Sequence, residues 1–167
     1  MNLRLTLTLF SLAALNTLAD GPADNLPDKV RRVPPPGIAI PAEVRAELEA
    51  GVAELGREID SLRSALKTKP QLLDLLPDVQ IYHHALRYAL TYDEFYKTNE
   101  TQVARGLLKQ GLERAQLLRD GKSSWTTATG LVARGYVSKI DGSVQPYGLV
   151  VPASYQSNSP RPFRLDF

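Results

Sequence analysis

The chain has 167 residues, a formal net charge of +2, and 43% hydrophobic and 23% charged residues. That suffices for one domain with a modest core, and the near balance of charge gives no electrostatic case for nucleic acid or an anionic membrane surface as a partner. There are no cysteines, which excludes disulfides, thiolate metal sites and cysteine nucleophiles together.

Residues 1–19 read as a cleavable secretory signal peptide. Arg4 supplies a short positive region, residues 5–15 an apolar run broken only by Thr and Ser, and Thr17-Leu18-Ala19 small residues at the cleavage positions. Export to the periplasm or beyond, with cleavage after Ala19, is the expectation. An apolar run of this length, at about 1.5 Å per residue, falls short of a hydrocarbon core of about 30 Å, so no membrane span is expected once the leader is removed. Residues 20–40 form an extended linker. Six of the twelve prolines fall between Pro22 and Pro41, including the run Pro34-Pro35-Pro36. Proline fixes φ and removes donors, which favours a partly polyproline spacer lying across the folded body.

Residues 41–121 carry the pattern of a small antiparallel three-helix bundle. Pro41 suits a helix start. Val44, Leu48, Val52, Leu55, Ile59, Leu62 and Leu66 then recur at steps of three and four, one apolar stripe among charged residues. Pro70 ends this helix, and 71–76 allows one short turn. Pro77-Asp78 opens a second helix with Val79, Tyr82, Leu86 and Leu90 on its apolar face. Thr98 or Asn99 caps a third, with Val103, Leu107, Leu108, Ala115 and Leu118 facing inward and Asp120-Gly121 as its stop. Gly106 and Gly111 mark positions of close helix contact.

After a connector carrying the single Trp125, residues 131–140 and 145–152 read as two strands joined at Asp141-Gly142, the signal of a type I′ turn. A large aromatic at such a junction anchors one layer onto another. Pro146 in the return strand removes a ladder donor and places that strand at an edge or a bulge. Residues 163–167 alternate apolar and polar like the start of a third strand. The fold class is therefore α+β: signal helix, proline-rich arm, helical bundle, then a hairpin with an incomplete third strand over 122–167. Two and a half strands cannot bury their faces or satisfy their edges, so 122–167 is expected to open a larger β-containing domain.

The residues that could carry chemistry are few. His83 and His84 are the only histidines. Adjacent on a helix, they point about 100° apart and cannot chelate one ion together. His84, Tyr88, Tyr92 and Tyr96 are spaced by four and share a face. His84, Tyr88 and Tyr92 are the candidates for an aromatic and imidazole pocket wall, and packing against a neighbouring domain is the plainer reading of the same face. There is no G-x-S-x-G, G-x-G-x-x-G or Walker A segment. Neither Gly142-Ser143 nor Ser123-Ser124 has a following helix or a base nearby in sequence. No catalytic residue, metal ligand or cofactor site is assigned.

Residues 125–136 (WTTATGLVARGY) and 138–152 (SKIDGSVQPYGLVVP) resemble the opening of the catalytic domain in secreted bacterial α/β-hydrolases of the prolyl oligopeptidase-like or esterase type. Residues 76–95 (LPDVQIYHHALRYALTYDEF) are similar to the helical region before it, and 33–38 (VPPPGI) to the mature N-terminus. In that family the third strand leads to a His-Gly oxyanion loop, and the nucleophile elbow, acid and histidine follow later. The resemblance implies that these residues are the helical N-terminal region and first strands of an exported serine hydrolase, inactive alone, whose partner is the catalytic domain of the parent protein. None of the family's catalytic residues falls on a position of this sequence. The alternative is a self-standing periplasmic binding or adaptor module that uses its β tail for partner contact.

Overall fold

The computed structural model describes residues 36–155. The expected leader, most of the linker and the third strand at 163–167 lie outside the described residues. Within them the fold is α+β. Helix α1 spans Ala42–Ala65, a short α2 Pro70–Leu73, α3 Pro77–Thr91 and α4 Glu100–Arg119. A single 3-10 turn at Ser124–Thr126 leads into β1 (Gly130–Val137) and β2 (Val144–Val151), an antiparallel pair in register from Gly130↔Val151 to Val137↔Val144.

The three long helices pack through the stripes read from their spacing. Leu48, Val52, Leu55, Ile59, Leu62 and Leu66 from the first stripe are buried, as are Val79, Tyr82, Leu86 and Leu90 from α3. They form two hydrophobic clusters. One holds Leu48, Val52, Leu86, Leu90, Phe95 and Ala104, and the other gathers Leu55, Leu62, Val79, Tyr82, Leu118 and Trp125. Leu107 and Leu108 pack against both.

Polar contacts between helices fix their directions. Arg45 near the start of α1 donates to the Leu90 carbonyl at the end of α3 and pairs with Asp93, so α1 and α3 are antiparallel. Arg105 pairs with Glu47 at 2.6 Å and Arg119 with Glu58, so α1 and α4 run the same way. Helix α3 ends where Asp93 takes φ = 54° and the Glu94 N–H reaches back to the Ala89 carbonyl at 2.9 Å. That is the left-handed stop glycine usually makes and Asp tolerates.

Four expectations need correction, the fourth being the close helix contact expected at Gly106, where an added Cβ would meet nothing within 4 Å. Val103 is 55% exposed and Ala104 takes the inward position, because α4 buries the row Ala104, Gly111, Ala115 and Leu118. Neither Thr98 nor Asn99 caps α4 through its side chain. The Glu100 carboxylate instead accepts the N–H groups of Tyr96 (2.6 Å) and Lys97. The hairpin loop is not a two-residue type I′ turn. Such a turn needs positive φ at both central residues, and only Gly142 has it, at 71°. The strands stop at Val137 and Val144, and Ile140 lies fully exposed in the loop. The Gly142 N–H closes onto the Ser138 carbonyl (3.0 Å), and the Asp141 carboxylate takes the Ser143 N–H and hydroxyl.

The two glycines of α4 differ in surroundings. A Cβ on Gly111 would stand 2.8 Å from Leu55 Cδ2 and 2.9 Å from Tyr82 Cβ, whereas one on Gly106 would meet nothing within 4 Å. Gly106→Ala should therefore raise stability by up to about 1 kcal/mol through helix propensity, and Gly111→Ala should lower it by forcing apart α1 and α3. Urea melts of the two variants check the opposite signs.

Candidate functional site

Asp78 stands on the first turn of α3, between the helical bundle and the hairpin, with 1% of its surface exposed. Its carboxylate accepts from Trp125 Nε1 at 2.8 Å, from Arg134 Nε at 2.9 and 3.0 Å, and from the Gly135 backbone N–H at 2.6 Å. One side chain thus ties α3 to the connector and to β1. A second residue completes the tie. Arg114 of α4 donates to the Asp78 carbonyl at 3.1 Å and to the Ala133 carbonyl at 2.9 Å. Its guanidinium sits 5.0 Å from the Tyr82 ring centre and 5.1 Å from that of Trp125, a cation–π arrangement on two faces. Burial pulls the Arg114 guanidinium below its ordinary range, and the nearby Tyr82 and Asp78 work against that shift.

This cluster decides which hairpin edge is covered. Gly135 spends its N–H on Asp78 and Ala133 its carbonyl on Arg114, so these groups point away from β2. Alternation along an antiparallel pair then makes Gly135↔Pro146 a non-hydrogen-bonded pair, where proline's missing donor costs the ladder nothing. Pro146 sits in a regular strand without a bulge for that reason. Gly135 is required by approach: a Cβ there would collide with the Pro77 carbonyl and lie 2.8 Å from Ile81 Cγ2.

A cavity of about 340 Å³ opens between Trp125 and the hairpin, lined among others by Val132, Arg134, Leu149, Val151 and Pro152. A smaller hollow of about 240 Å³ lies between α1 and α3, lined by Gly56, Asp60, Arg63, Gln80, His83 and His84.

The residues His84, Tyr88 and Tyr92 form a ladder along the outside of α3, with ring centres 6.0 Å apart at each step and the two tyrosines stacked. Tyr88 and Tyr92 are 42% and 65% exposed, and Arg87 lies over the Tyr88 ring. Of the three, His84 alone lines the hollow with His83. Tyr96 is exposed beyond the helix end, its phenol pushed up by desolvation and the neighbouring Glu94 and Glu100. Among the described residues no group of three or more His, Asp or Glu side chains is placed to hold a metal ion, and no helix is long and apolar enough to cross a membrane.

Sequence reasoning missed Asp78, Arg114 and Arg134. Asp78 looks like an ordinary first-turn acid after Pro77. The one available signal was Gly135 inside a strand pattern, which marks a close backbone approach.

Removing the carboxylate leaves Arg134, the Trp125 indole and the Gly135 N–H without their acceptor. Asp78→Ala should lower stability by about 3–5 kcal/mol, the scale for breaking a buried ion pair, with Trp125 emission moving to the red while helix content persists. Urea melts followed by fluorescence and circular dichroism check both. For His83, burial is the main cause that pushes the imidazole below its ordinary value, with the neighbouring His84 and Arg87 adding to it and Asp60 opposing. Its contribution to stability is therefore full above about pH 6.5, where the unfolded chain is also neutral. It is lost as pH falls through the lower folded value, because the unfolded chain takes up the proton first. An imidazole titration that returned a folded pKa at or above 6.5 would contradict this, as would His83→Gln keeping the same pH dependence of stability. Comparison with family models, curated proteins and solved structures finds no match to this chain.

Proposed function

We propose that residues 36–155 are a non-catalytic region that holds a β-hairpin ready to join a larger sheet, as the helical N-terminal region and first strands of an exported serine hydrolase would. The observation that supports this reading is the unequal state of the two hairpin edges. The outer edge of β1 is engaged by Asp78 and Arg114, while no other strand pairs with β2 among the described residues. Beside that edge, Leu131 and Val150 face each other across the ladder at 83% and 82% exposure. An unpaired edge beside exposed apolar side chains is the usual template for strand addition. A hairpin alone is marginal in water, and the bundle supplies the rigid support it lacks.

A self-standing periplasmic module that uses the same hairpin for partner contact is the second reading. It is favoured by the two hydrophobic clusters that residues 36–155 form.

Under the first reading the purified chain turns over no simple ester and self-associates through the hairpin. Replacing Leu131 and Val150 together by Lys should then abolish association in sedimentation runs without lowering the melting temperature. A wild-type chain that stays monomeric with a cooperative melt would favour the second reading, and ester turnover would overturn both.

A further inference from the structure

We propose that the cavity between Trp125 and the hairpin binds a small amphiphilic carboxylate, its apolar body against Trp125, Val132 and Leu149 and its carboxylate on Arg134. The proposal stands apart from the hydrolase reading and does not need it.

The cavity's volume of about 340 Å³ lies in the range of small-molecule sites, which combine apolar walls with a few fixed polar groups. Its walls come from Trp125, Val132, Leu149, Val151 and Pro152, and among the described residues Arg134 is the one charged side chain lining it. Among the described residues no carboxylate lines it. Behind the wall, the hydrogen-bonded cluster of described residues holds one carboxylate, Asp78, bonded by the Arg134 guanidinium, and a second guanidinium, Arg114, which donates to the Asp78 backbone carbonyl and lies over Trp125. The cluster therefore carries one more positive than negative charge, and an anion in the cavity would balance it.

Arg134 is held in a way that suits this task. Its hydrogen bonds among the described residues all come from Nε, which donates to both Asp78 oxygens. Its two Nη atoms make none with those residues. Anchoring one edge of a planar guanidinium fixes the plane and leaves the remaining N–H groups to meet a carboxylate in a charge-assisted fork, at little further entropy cost. The hollow beside His83 and His84 contrasts with it. There Arg63 is already bonded to Asp60 at 2.7 Å, so the local charge is met from within.

Trp125 is the only tryptophan, and its emission reports the cavity directly. The test titrates the purified chain with decanoate, and with decanol as an uncharged probe of equal length, both below their aggregation limits. The expected result is a saturable change in Trp125 emission with decanoate, at an affinity about tenfold or more above that for decanol, the scale of a charge-assisted hydrogen bond. Arg134→Met, which keeps an apolar stem and removes the fork, should bind both probes alike. The comparison of the two probes on the unaltered chain needs no variant to fold. Decanol binding as tightly as decanoate would overturn the proposal, as would the absence of any saturable response to decanoate. Undiminished preference for decanoate in a folded Arg134→Met would overturn it equally.

Discussion

A buried carboxylate holds this structure together at its one joint. Asp78 is taken out of water, and a charge in that position is tolerated only when an opposite charge and hydrogen bonds replace its hydration. Here the replacements are three donors from two parts of the chain: the indole of Trp125 in the connector, and the guanidinium of Arg134 and the backbone of Gly135 in β1. The position at the first turn of α3 helps, since the positive end of the helix dipole faces the carboxylate. Each donor belongs to an element that lies after the bundle in sequence. The hairpin is thus fixed in place by satisfying a charge that the bundle itself presents, and no buried side-chain polar atom is left unpaired among the described residues.

The consequences run outward along β1. Because Gly135 turns its N–H toward Asp78, the ladder phase is set, and Pro146 falls where no donor is needed. Because Gly135 has no side chain, β1 can lie on the Pro77 carbonyl. Val132 is then buried, Val144 packs against the cluster that holds Tyr82 and Trp125, and Leu131 and Val150 are left outside. Tyr136 and Tyr147 meet edge to face at 6.0 Å on the other side of the sheet. One hairpin edge is held by the bundle, and among the described residues the other has no partner strand. The same Arg134 that is clamped by Asp78 lines the cavity beside Trp125.

The helices were legible because their signal is local. Steps of three and four along α1 and α3 mark residues that must share a face, and burial of that face is what makes the helices pack. The two strands and their order were legible for a similar reason, from β-branched runs around Asp141-Gly142. The loop between them was not, because Asp-Gly serves the longer loop 138–143, with one left-handed residue, as well as it serves a tight turn. Val103 was misplaced because a leucine-rich pattern hides which small residues lie at the helix contact, and here Ala104 and Gly111 do. The candidate wall His84, Tyr88 and Tyr92 was read correctly as one face, but periodicity says nothing about what covers a face. The Asp78 cluster was illegible for a deeper reason. It joins residues 36 to 57 positions apart, and no local pattern in a single sequence records such a pairing.

The central claim, that the hairpin is held by Asp78, is tested most directly by hydrogen exchange at two glycine amides. The Gly135 N–H is bonded to Asp78 at 2.6 Å, and the Gly148 N–H, in the same ladder phase on β2, points to the edge that has no partner strand among the described residues. The account predicts that Gly135 exchanges as slowly as the core amides of α3, through global opening alone, while Gly148 exchanges at the rate of an exposed strand edge. Equal, rapid exchange at both amides would contradict it, since the hairpin would then be leaving the bundle freely.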